Sequence, residues 1–215
     1  MRRSFIVMTI IMLTAYMLFY GCQPIKEIAA MVYLIQGKEW HNKGDYNRAI
    51  ADYNKFIEIN PVYAGAYHDR GRAYSKLGKY KRAIEDYDKA ILLDPNIAMA
   101  YNNRGCDYIC LGQYQQAIED CNHAILLDPN LAKAYNNRGC AYVCLGQYQQ
   151  AIEDCNHAIL LDPNYAKAYF NRGATYYYNG ENNKAWEDVH KAQSLDYQVN
   201  PGFLTALREA SGRQR

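Results

Sequence analysis

From residue 30 onward, apolar and small side chains return on a helical beat. Aromatic residues at Tyr33, Tyr67, Tyr101, Tyr135 and Tyr169 are each followed four places later by glycine and seven places later by a second aromatic, Trp40, Tyr74, Tyr108, Tyr142 and Tyr176. Offsets of three, four and seven put such residues on one stripe of a helix. The stripe stops at Gly44, Gly78, Gly112 and Gly146, where glycine reaches the left-handed conformation that closes a helix. A second helix is expected from Tyr46, Tyr80, Tyr114 and Tyr148, carrying Ala49, Ala83, Ala117 and Ala151 where it must pass close to the first. "DPN" ends the pair, since proline cannot continue the second helix but suits the first turn of the next.

Prolines at 61, 95, 129 and 163 repeat every 34 residues, which divides the chain into units 30–63, 64–97, 98–131, 132–165 and a degenerate 166–199. Tyr101–Ala134 and Tyr135–Ala168 differ only as Asp107/Ala141, Ile109/Val143 and Leu131/Tyr165, a pattern of duplication. No single unit can bury both of its apolar stripes, so stacking of neighbours must do it. Asn200-Pro201-Gly202 breaks the pattern, and residues 200–215 are expected to supply a capping helix with Phe203, Leu204 and Leu207 facing inward.

This period, with its recurring small and large positions over residues 25–199, resembles the tetratricopeptide repeat family. The resemblance implies an all-α, right-handed superhelical solenoid of about five helix-turn-helix units plus the cap. It also implies that the first helix of each unit lines a concave groove for a protein or peptide. Family contact places fall here on Asn102, Asn103, Asn136, Asn137 and Asn171, with Lys133 and Lys167 beside them. An asparagine amide both donates and accepts, so a row of them could follow an extended peptide backbone. Phe170, Tyr177 and Tyr178 would make an apolar pocket at the far end. Arg70, Arg104, Arg138 and Arg172 are read instead as buried stems whose guanidinium groups meet carboxylates such as Asp120 or Asp154.

The first residues read differently. Arg2 and Arg3, an apolar run over 5–20, and Gly21-Cys22 have the layout of a secretory signal or anchor over 1–22. Its Gly-Cys end resembles the bacterial lipoprotein signal, which implies cleavage before Cys22, acylation of Cys22, and a membrane-tethered chain in the cell envelope. A single-pass anchor is the alternative.

The composition narrows the function further. A net charge of +2 is too small for a nucleic-acid binder driven by phosphate neutralisation. No nucleophile elbow, phosphate loop or zinc triplet is present, so neither an enzyme nor a cofactor is expected. Six repeat cysteines are read as small apolar filling, with Cys121–Cys140, brought together about the Pro129 turn, as the one candidate disulfide. His123 and His157 are read as solvated. The expectation is a protein-binding scaffold, against a self-associating array or a cytosol-facing adaptor.

Overall fold

The computed structural model describes residues 23–212. The signal or anchor expected over 1–22, with Cys22, lies outside them. Eleven α-helices and no strand occur among the described residues: α1 (Gln23–Asn42), α2 (Tyr46–Ile59), α3 (Ala64–Lys76), α4 (Tyr80–Leu93), α5 (Ala98–Cys110), α6 (Tyr114–Leu127), α7 (Ala132–Cys144), α8 (Tyr148–Leu161), α9 (Ala166–Tyr178), α10 (Asn182–Ser194) and α11 (Pro201–Ala210). The described residues are all-α, and within each compact unit successive helices pack on their neighbours. It divides into two compact units, one ending at Lys79 and the other starting at Tyr80.

In the first unit, Ala30 and Leu34 of α1 pack with Ala49, Ile50, Tyr53 and Phe56 of α2 and with Ala66 and Ala73 of α3. In the second, the helices of each pair nearly touch at backbone level. A Cβ added to Gly105, Gly139 or Gly173 would lie 3.2, 3.2 or 3.1 Å from the carbonyl oxygen of Ala117, Ala151 or Ala185. Small residues at both places are therefore a packing requirement. Gly112 and Gly146 hold φ of 75° and 72° in the tight turns, where a side chain would be strained.

The prolines correct one expectation. Pro95, Pro129 and Pro163 lie in the turn before the next helix, which starts three residues later. The aspartate before each proline shapes that turn: Asp94, Asp128 and Asp162 accept from the backbone N–H of Asn96, Asn130 and Asn164 at 3.0 Å in each case. "DPN" thus encodes an Asx-turn.

At the C-terminal end, Leu207 of α11 is wholly buried against Trp186 and Val189, and Phe203 and Leu204 pack on the same cluster. Trp186 Nε1 donates to Ser211 Oγ at 3.0 Å, and Asn182 Nδ2 donates to the Ala210 carbonyl at 2.8 Å. The cap is fastened at its far end as well as along its apolar face.

Candidate functional site

Asparagines on α5, α7 and α9 bond one first helix of the second unit to the next. Asn137 Nδ2 donates to Asn102 Oδ1 at 3.0 Å, and Asn171 Nδ2 donates to Asn136 Oδ1 at 2.7 Å. Asn102 Nδ2 donates in turn to Asn103 Oδ1 at 3.2 Å. The register is 35 residues, one more than the repeat, so each bond ties one helix to the equivalent helix of the following unit. Asn102, Asn136 and Asn137 are buried, while Asn103 and Asn171 are half-buried. One amide N–H of Asn137 is thus spent inside the array and Nδ2 offers a second, whereas Asn171 Nδ2 spends both, on Asn136 and on Cys140. Asn136 Nδ2 is buried without a hydrogen-bond partner, and Asn171 Nδ2 also lies 3.1 Å from Cys140 Sγ. The asparagine row serves first as a fastening between repeats, which spacing alone could not reveal.

Lys133 and Lys167 stand exposed beside this row. The aromatic end is arranged differently. Phe170 stacks on Tyr197 with centroids 4.9 Å apart and meets Phe203 edge-on at 5.4 Å. Tyr177 also meets Phe203, at 5.5 Å. Helix α11 and the segment before it therefore occupy the surface of both rings. Tyr178 is left more than half exposed, stacked on Tyr148 of the preceding unit at 6.3 Å.

On the same first helices, Arg104, Arg138 and Arg172 each join three elements. Arg138 Nε and Nη2 grip Asp154 at 2.8 and 2.6 Å, Nη1 donates to Asn122 of the previous unit at 2.6 Å, and the guanidinium lies 5.6 Å from the Tyr135 ring centre. Arg104 repeats this with Asp120 and Asp88, and Arg172 with Asp188 and Asn156. The hydrogen bonds to Asp154, against a smaller opposing cost of burial, hold Arg138 above the ordinary arginine range. These arginines are structural clamps, spent on their carboxylates, and form no free basic stripe. His123 and His157 are exposed, but they stack on Tyr101 and Tyr135 with centroids 5.4 Å apart. Lys55 and Lys191 take the equivalent place over Tyr33 and Tyr169.

The six cysteines among the described residues are free thiols, Cys121 and Cys140 included. Cys121 packs over Gly105 of its own unit, where an added Cβ would be 3.2 Å from its sulfur. The place opposite Gly139, expected for Cys121, belongs to Cys155. The reason is that the glycine pairs with the second helix of its own repeat. Burial pushes the thiols of Cys121 and Cys155 up, and that of Cys140 up to about 11. Cys110 and Cys144 are exposed. No group of three or more metal-ligating side chains is found among the described residues. No helix among them is long and apolar enough to cross a membrane.

Comparison with known proteins agrees with this architecture. Family patterns described as tetratricopeptide repeat match residues 64–97, 98–131 and 132–165, and residues 155–187; one described as TPR repeat matches 37–78. No curated protein matches the sequence. Among solved structures, MamA is 29% identical, with a TM-score of 0.64 over 74% of this chain and 94% of that one. YrrB, described as a TPR protein with an unusual peptide-binding site, is 25% identical with a TM-score of 0.65 over 90% and 97%. Pseudomonas aeruginosa PilF, at 21% identity and a TM-score of 0.75 over 86% of its own chain and 87% of this one, shares the fold. Helix pairs, glycine–alanine contacts and repeat register all agree with those matches, and over residues 37–187 the chain belongs to the tetratricopeptide repeat family.

Proposed function

We propose that the protein is a non-enzymatic, membrane-tethered scaffold that holds an extended segment of a partner protein against helices α5, α7 and α9. The observation that carries this reading is the asparagine row. Asn137 and Asn171 are pinned by Asn102 and Asn136, so the remaining donor of Asn137 and the Oδ1 acceptors of both are held at fixed positions, and binding costs little side-chain ordering. Equivalent helices of successive repeats lie on the order of 10 Å apart, and an extended chain advances about 3.3 Å per residue, so one amide serves about every third peptide residue. Lys133 and Lys167 favour a segment with acidic side chains, and α11 stops it at Phe170 and Tyr177. The family binds protein or peptide partners, and the peptide-binding site named for YrrB is consistent with this use of the fold.

Tethering rests on the apolar run over 5–20 and on Cys22, acylated in the envelope of a bacterium. Mass analysis of the N-terminal peptide tests it: an unmodified Cys22 in an uncleaved chain removes lipidation and leaves the single-pass alternative. A second reading, self-association, draws on Ile28, Met31, Val32 and Ile35 of α1, which are 69, 49, 47 and 54% exposed along one helix face.

In-cell photocrosslinking separates the two. A photoreactive residue at position 133 or 167 should capture a defined partner, whereas one at Leu126 or Leu160, both 77% exposed on the second helices, should not. Equal capture from both faces, or none from 133 and 167, overturns the groove reading. Adducts with other copies of the chain alone favour self-association.

A further inference from the structure

The first unit contains a cavity of about 220 Å³ that the asparagine groove does not involve. It is lined by Lys38, His41 and Asn42 of α1, Tyr53 of α2, and Asp69 and Arg72 of α3. Tyr53 reaches it by crossing over Gly37: a Cβ at that glycine would stand 2.6 Å from Tyr53 Cε1. In the second unit the equivalents of Tyr53 are Tyr87, Cys121, Cys155 and Val189, and those of Lys38 and Arg72 are Cys106, Cys140 and Ala174. The two cations are not repeated there.

The lining is rich in hydrogen-bond donors. Asp69 is its one carboxylate, and it faces Lys38 Nζ at 3.6 Å, His68 Nδ1 at 3.5 Å and Arg72 Nη1 at 3.5 Å. Those separations are too long for good hydrogen bonds. They contrast with the 2.6 Å pairs of Arg138 and Arg172, so Lys38 and Arg72 keep donors to offer. Both side chains are about half exposed, at 53 and 44%, and swing toward a ligand without emptying the core. His41 Nδ1 is buried with no hydrogen-bond partner. Burial first, and then the charges of Arg72 and Lys76, hold His41 below its ordinary value, while Asp69 opposes them. A neutral imidazole beside two cations with spare donors lacks an acceptor.

We propose that this cavity is a carboxylate-binding pocket, in which Lys38, Arg72, Asn42 and His41 hold the acidic side chain of a protein segment. Asp69 serves as the organiser, drawing the two cations to the same mouth without satisfying them. The cavity admits an aspartate or glutamate side chain with waters, and its donors match the two oxygens of a carboxylate.

The test is a titration of the purified full-length chain with N-acetyl-glutamate, read from the His41 imidazole resonances, with N-acetyl-glutamine and inorganic phosphate as parallel probes. N-acetyl-glutamate should shift His41 saturably, and N-acetyl-glutamine should not. Arg72→Gln should weaken the binding by about ten-fold, the usual effect of losing one charge-assisted hydrogen bond. Lys38→Gln gives a second, independent reduction, and helicity by circular dichroism confirms that both variants are folded. Lys133→Gln in the groove should leave the titration unchanged, so this pocket and the groove reading fail separately. Equal response to glutamate and glutamine, or undiminished binding in both variants, overturns the proposal. Saturation by phosphate with none by N-acetyl-glutamate also overturns it, since the site would then select phosphoryl groups.

Discussion

Removing Asp154 isolates the contribution of one arginine clamp. In the folded chain its side chain is 6% exposed and that of Arg138 is 20% exposed. Asp154→Ala leaves two guanidinium N–H groups without acceptors in a space too enclosed for full hydration. Breaking one partner of a buried pair costs about 3–5 kcal/mol. Arg138 retains Asn122 Oδ1 at 2.6 Å and the Tyr135 face and is partly solvated, so the lower end applies, about 3 kcal/mol. For a chain of this length that lowers the melting temperature by about 6–12 °C. The assay is urea and thermal unfolding followed by far-ultraviolet circular dichroism, on Asp154→Ala, Arg138→Met, and Arg138→Met with Asp154→Leu. The double apolar replacement should come within about 1 kcal/mol of the parent, because it leaves no charge stranded, and the coupling between the two sites should be about 1–3 kcal/mol. A loss below about 0.5 kcal/mol for Asp154→Ala would refute the argument, since only a solvated surface pair behaves that way.

Three further outcomes follow from the same geometry. Leu207→Ala removes a wholly buried anchor of the cap and should cost about 3 kcal/mol, with a red shift of Trp186 fluorescence as α11 loosens; unchanged emission would mean the cap is held elsewhere. Iodoacetamide at about pH 8 should label Cys110 and Cys144 first. Cys140, raised to about 11, and buried Cys121 and Cys155 should lag, and equal rates at Cys121 and Cys110 would contradict the packing over Gly105. His41 is held below its unfolded value of 6.5, so the unfolded chain takes up that proton first as pH falls. The His41 contribution is complete above 6.5 and is lost as acid approaches the folded value. His41→Gln should flatten that acid slope, and an unchanged slope would show that His41 is not masked.

The repeat, its helix boundaries and its packing glycines were readable in the letters because they depend on local geometry. A glycine four places after an aromatic, or ahead of a second helix, does the same work in every copy. The second helices begin at Tyr46, Tyr80, Tyr114 and Tyr148 as their spacing implies. The arginine clamps were equally legible, since a long buried stem demands a carboxylate and the repeat offers one 16 residues on. Three features were decided only in three dimensions. Proline's position was misread because its missing N–H suits a turn as well as a helix start, and only the Asp94, Asp128 and Asp162 contacts choose between them. The partner of Cys121 depended on which helix its glycine faces. The asparagine row could not be parsed from spacing, because an amide that fastens one repeat to the next and an amide that awaits a ligand are the same residue at the same place. Only a neighbour at 2.7 or 3.0 Å tells them apart. Sequence determines what each repeat is, because its pattern is short-range; the tertiary structure decides what each polar group is left free to do, because that depends on which atoms stacking brings within reach.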